Sequence, residues 1–420
     1  MQTILKGHII GAPSLGELSI TENGYLVLED GVLQGVFQQL PESLRKAAVT
    51  DFGDRLILQS FSDMHLHGAQ YPMLGLGMDL PLLDWLDSYA FPVEARFSDA
   101  SFARRVYRRL ANALIENGTT RVCMFASLHT DTALILMEEL EQAGVTGYVG
   151  KVNMDRNGGA ALQETTEESK RETLRFLDGC RGFRHVRPIL TPRFTPSCTD
   201  ELMAWLGALS NARDLPVQSH LSENDAEMAL VGTLHPDCGQ YWETYAKYGL
   251  FHERTVMAHC VHSDANERDA LRRHGVLAVH CPDSNINICS GFAPVRQMLQ
   301  EGVQVALGSD IAGGALLPMN RVVTAAIRAS KARSILSGAK ESFLTVAEGY
   351  YLGTTAGARF FGAGAGFRVG DPLHAIVVDE NRFPEPVRPL SLRERFERAM
   401  YLMQPENIVA CYSEGRRVKS

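Results

Sequence analysis

The feature that most constrains this chain is an alternation repeated eight times. Short apolar runs recur as RLILQSFSDMHLH (55–67), TTRVCMFAS (119–127), TGYVGKVNM (146–154), VRPILTPRF (186–194), LPVQSHLSE (215–223), RTVMAHCV (254–261), GVLAVHCP (275–282) and VQVALGSD (303–310). Helical patterns lie between most of them. FARRVYRRLANALIENG places apolar residues at helical spacing and stops at Gly118, and TALILMEELEQAG does the same and stops at Gly144. Parallel strands buried on both faces read as near-continuous apolar runs. The alternation predicts an α/β chain built as a (β/α)8 TIM barrel, with a doubly wound open sheet as the competing arrangement. Residues 1 to about 58 read instead as short strands, with Asn23-Gly24 and Asp30-Gly31 as hairpin turns. HAIVVD and NIVACYSEGRRV near the other end have the same texture. The two ends are therefore expected to pair into one small β domain.

Charge and cysteine usage narrow the functional classes. A formal net charge of -8 and a pI near 5.9 argue against nucleic acid or an anionic membrane as the main partner. The eight cysteines contain no CxxC pair, so a thiolate zinc site is not expected. MQTILKGHII lacks a secretory h-region, and no run of about 18 apolar residues is present. A cytoplasmic location with reduced thiols is the expectation.

Barrel enzymes place chemistry at the C-terminal ends of their strands. The first run ends in His65-x-His67, the fourth in Thr191-Pro192-Arg193-Phe194, and the last in Ser309-Asp310. The fifth carries His220-x-x-Glu223 and the sixth His259. Residues i and i+2 of a strand face the same side, so both imidazoles of HxH can address one metal. By itself HxH says little: with 13 histidines in 420 residues, roughly 0.4 such pairs arise by chance. Its partners change that. His65, His67, His220 and Asp310 are the ligand types that divalent zinc or ferrous iron accepts, at strand ends that would converge. Glu223 reads either as a solvated acid opening a helix or as a general acid–base beside an activated water. His259 reads as a core histidine or as a ring that hydrogen-bonds that water. Asp310 reads as an N-cap or as ligand and proton acceptor. His129, His185, His235, His252, His262 and His274 have no matching partners, and His280 is ambiguous.

The set HxH, HLSEN, an isolated histidine and SD resembles the metal-dependent amidohydrolase superfamily. HLHGAQY, LPLLDWLDSYAFPVEARF, YVGKVNMDRN, TPRFTPSC, QSHLSEN, VMAHC, HCPDSNINICSGF and ALGSDIAGG resemble its guanine deaminase family, from about residue 25 to the end. The resemblance implies a barrel over 59–365 and a small β-sandwich domain formed by the N- and C-terminal segments, 1–58 plus 366–420. It implies one zinc per subunit, with iron as an alternative occupant, held by His65, His67, His220 and Asp310. Catalysis would rest on Glu223, His259 and Asp310. Gln70 and Arg193 would hold a purine by hydrogen bonds and Phe194 by packing. Guanine and water would give xanthine and ammonia, in a homodimer. Another amino-heterocycle, such as a pterin or triazine, is the alternative substrate, and a catalytically inactive scaffold the alternative class. Two departures stand out: Gln59-Ser60 where the family usually has Pro-Gly, and Cys260 where it often has Gly.

Overall fold

The alternation becomes two four-stranded parallel sheets. In the computed structural model, which describes residues 2–159 and 161–419, the first sheet runs Phe61–His67, Thr119–Phe125, Thr146–Gly150, Val186–Pro188. The second runs Val217–Leu221, Thr255–His259, Leu277–His280, Gln304–Leu307. Both sheets keep chain order, so each link is a crossover. Backbone bonds join the sheets at both seams. Leu190 bridges Val217 in parallel. Asp310 N donates to His65 O at 2.8 Å, and His67 N donates to Ile311 O at 3.0 Å.

Local chemistry explains the elements. Every residue of Thr119–Phe125 is buried, as a strand covered on both faces requires. The helix Ala100–Glu116 starts at Asp99, whose carboxylate accepts from Ser101 N and Phe102 N. It ends ahead of Gly118, where φ is +76°. Tyr107, Leu110 and Leu114 turn inward, the two leucines each contributing about 1.5–3 kcal/mol by leaving water.

The chain ends do pair. Seven strands form one sheet in the order Arg416–Lys419, Ile408–Ser413, Ala375–Val378, Thr50–Gln59, Gln2–Gly11, Ser19–Glu29, Val32–Phe37. Leu5, Ile9, Leu26, Ile57 and Val377 form its own apolar core. The C-terminal segment also holds the helix Leu392–Leu402, which docks on the helix Met319–Leu336 through Asn320 Nδ2 donating to Met400 O and Met403 O.

Two local expectations are corrected. The run 55–67 is two strands: Gln59 ends the terminal sheet and Phe61 starts the parallel one. The Gln59-Ser60 departure sits at that break. Gln59 Oε1 accepts from Ala12 N at 2.7 Å, its Nε2 donates to Thr355 Oγ1 and Gly366 O, and Ser60 Oγ pairs with Thr120 Oγ1. The Gln59 amide thus links both terminal segments, at Ala12 and Gly366, to the helical segment Leu352–Ala356 through Thr355. Asn23-Gly24 is no turn: the strand runs through it, with Asn23 at φ +48° beside a register shift opposite Gly7 and Ile9, which is a bulge. Asp30-Gly31 is the tight turn expected, with φ +49° and +84°. No helix among the described residues is long and apolar enough to cross a membrane.

Candidate active site

The strand ends converge as the alternation requires. His65, His67 and His220 each bring a ring nitrogen within 4.8 Å of the others. His220 Nδ1 lies 2.6 Å from Arg193 O; a carbonyl only accepts, so Nδ1 carries the proton and Nε2 keeps its lone pair. That Nε2 faces His67 Nε2 at 3.2 Å. His65 Nε2 lies 3.2 Å from Asp310 Oδ1, yet it is buried without a hydrogen-bond partner. Asp310 Oδ1 is also 3.5 Å from His67 Nε2.

Charge sharpens this picture. Burial lowers the pKa of His65, and burial with neighbouring imidazoles carries His67 and His220 well below the usual range. The rings are therefore neutral. Burial would raise Asp310, but the polar ring edges of His65 and His259 packed against its carboxylate outweigh it and bring its pKa to about 2. Three neutral imidazoles gather, and the Asp310 carboxylate lies against two of them, with an orphaned buried nitrogen among them. That donor set fits a divalent metal. A second convergent group contains His65, His259, Cys281 and Asp310. Burial holds the Cys281 thiol well above its usual pKa, so it is the weaker ligand candidate.

The acid–base candidates face this point. Glu223 is buried, and its Oε2 lies 3.4 Å from His259 Nε2, which is 3.7 Å from Asp310 Oδ2. Burial, then the charges of Glu227 and Asp310, push the Glu223 pKa well above the usual carboxylate range. The solvated-acid reading of Glu223 is thereby excluded. The N-cap reading of Asp310 fails too, since the next helix begins at Met319. His259 Nδ1 pairs with Asn285 Oδ1 at 2.9 Å, which orients the ring. Ser222, His259, Cys260 and Asp310 all have positive φ, from +46° to +73°. The Cys260 departure occupies a left-handed position at φ +50° that glycine would adopt without steric cost.

A cleft opens beside these groups, lined by Gln70, Trp85, Leu86, Arg193, Phe194 and Ile288. Arg193 grips Glu94 with both terminal nitrogens, at 2.6 and 2.9 Å. Gln70 Nε2 donates to Glu94 Oε1 at 2.8 Å, while Gln70 Oε1 accepts from Ala312 N at 3.0 Å. With its oxygen engaged by Ala312 N and one N–H by Glu94, Gln70 still has a second N–H to offer, and Arg193 has further N–H groups. The wall they form is a donor edge that selects acceptors.

A model of the amidohydrolase family matches residues 56–418. The chain belongs to the amidohydrolase family. Within this family it is 34% identical to a guanine deaminase of Dictyostelium discoideum, over 99% of this chain and 98% of that one. A solved guanine deaminase from C. acetobutylicum, with guanine bound in its active site, superposes with a TM-score of 0.96 at 41% identity, covering 99% of this chain and 100% of that one. A triazine hydrolase matches at TM-score 0.86 and 16% identity, covering 100% and 95%, a likeness of fold alone.

Sequence reading missed the carboxylates that hold this amidohydrolase site in place. Glu94 lies in FPVEA with no pattern to single it out. Glu227 accepts from Glu223 N, Asn224 N and Tyr241 OH; Asn224 with Glu227 three residues on is a capping-box signature that was there to be read. Glu267 accepts from Ser222 Oγ at 2.8 Å. His280 is buried within its strand, where burial pushes its pKa down to about 3.

Proposed function

We propose that this chain hydrolyses guanine to xanthine and ammonia, as a guanine deaminase does. The observation that carries the reading is the donor edge of Arg193 and Gln70 set beside a buried, high-pKa Glu223 and a four-donor metal site. The 6-oxygen of guanine is an acceptor that such an edge would hold, and Phe194 would pack on the ring. His65, His67, His220 and Asp310 would hold one zinc, with iron as the competing occupant. When bound, the ion would lower the pKa of water and help supply the nucleophile.

Glu223 takes a proton from the attacking water and delivers it to ring N3 as C2 becomes tetrahedral. Asp310 takes the remaining hydroxyl proton and relays it to the exocyclic amine as C2=O forms, the C2–N bond breaks and ammonia leaves. His259 and Asp310 orient the water by hydrogen bonding. The two parallel sheets are read as one (β/α)8 barrel over 59–365. The terminal sheet, from 1–58 plus 366–420, is read as the accessory β domain. A cytoplasmic homodimer serving purine breakdown completes the proposal. An ammonia-release assay on protein of known metal content tests it. An unchanged guanine ultraviolet spectrum with metal-replete protein would overturn the substrate assignment.

A further inference from the structure

A second cleft, of about 360 Å³, opens at the other edge of the parallel sheet, lined by Arg121, Arg184, His185, Arg187, His374 and Glu414 among others. Its base is Arg121, only 8% exposed. Cys123 and Phe125 of the same strand point at Gln218 and at the rings of His65 and His67. Arg121 shares their face but lies four residues before Phe125, about 13 Å away. It is remote from the catalytic cluster. Arg187 stands opposite Tyr148, which stands opposite Cys123, so it too is on this face.

Most arginines of this chain are paired; these are not. Among the described residues, the guanidinium groups of Arg121, Arg184 and Arg187 make no hydrogen bond or ion pair. The acids of the cleft are engaged elsewhere. Glu414 Oε1 accepts from Thr146 Oγ1 at 2.9 Å and lies 3.2 Å from His374 Nε2, and Asp371 Oδ2 accepts from Gly364 N at 2.6 Å. Arg416 extends the basic rim through His185 at 3.0 Å. Burial lowers the Arg121 pKa to about 10, against the pull of Glu414 and Asp371, so it remains a cation at neutral pH. A buried cation with no direct hydrogen bond or ion pair is costly unless a ligand meets it, and a guanidinium fork suits tetrahedral oxyanions.

We propose that this cleft binds a phosphate-type oxyanion, held by Arg121 at its base and by Arg184 and Arg187 at its rim. The room around the base accepts either free phosphate or the phosphate of a nucleotide. Calorimetric titration of the full chain with inorganic phosphate, and separately with a purine mononucleotide, tests this. Saturable binding is expected, weakened about tenfold or more by Arg121→Met and less by Arg187→Ala, with guanine turnover retained. Tighter nucleotide binding would identify the nucleotide as the source; equal or weaker binding would identify free phosphate. If Arg121→Met does not fold, the exposed Arg187→Ala variant decides. No saturable binding of either probe through the millimolar range overturns the proposal. So does equal affinity in wild type and variants, because Asp371 and Glu414 would then satisfy Arg121 through water.

Discussion

Replacing Glu94 with glutamine isolates the donor edge. The carboxylate accepts three hydrogen bonds, two from Arg193 and one from Gln70. Glu94→Gln keeps shape, removes the charge and leaves one acceptor oxygen for three donors. Breaking one side of a buried ion pair costs about 3–5 kcal/mol. If most of that loss is felt when guanine binds, kcat/KM for guanine falls by about two to three orders of magnitude. The discriminating substrate is 2,6-diaminopurine, which carries a donor amine where guanine carries the 6-oxygen. A site built of buried donors should reject it by about 10⁴ or more. In Glu94→Gln the Gln70 amide loses one of its two anchors and keeps only the bond from Ala312 N, so the donor edge is less fixed and the diaminopurine should lose far less than guanine. The ratio of the two kcat/KM values should narrow at least tenfold, with KM for guanine moving more than kcat. Steady-state ammonia release on both substrates reads this, with metal content checked in parallel. An unchanged ratio would refute the reasoning. If both substrates fell by the same factor, Glu94 would be supporting the fold rather than selecting the substrate.

Glu223→Gln should retain its metal by elemental analysis while turnover drops by about 10²–10⁴; a variant with most of its rate would remove Glu223 from proton transfer. Chelation should abolish activity and added zinc restore it, whereas His220→Asn should bind little metal at the same zinc concentration. Gln59→Ala strands the Ala12 N–H and should lower stability by about 1–3 kcal/mol in urea melts. His280 has a folded pKa near 3, below an unfolded value of about 6.5. The unfolded chain therefore binds the extra proton, so this contribution is intact above about pH 6.5 and erodes as pH falls toward 3. At pH 5 the loss is about 2 kcal/mol, and His280→Gln should show a correspondingly smaller drop in urea midpoint between pH 7 and pH 5.

Much of this was legible from the amino acids. The eightfold alternation located every strand of the two four-stranded parallel sheets, because burial on both faces leaves a continuous apolar run whose end can be seen. The convergence of His65, His67, His220 and Asp310 follows from strand-end placement, and the structure brings all four together. The terminal pairing was legible only as texture, and the single run 55–67 concealed a break because both halves are equally apolar. What a linear reading could not decide is which polar groups face one another. Glu94 sits 99 residues from Arg193, and its spacing implies nothing. Only tertiary structure turns it into the carboxylate that makes Gln70 and Arg193 donors. The same holds for Arg121, an unremarkable residue in an apolar strand until folding buries its charge without a direct hydrogen bond or ion pair. Periodicity reports which face is buried, because burial is a property of each residue and its near neighbours. Electrostatic pairing between distant segments is set by three-dimensional proximity, and the fold alone decides it.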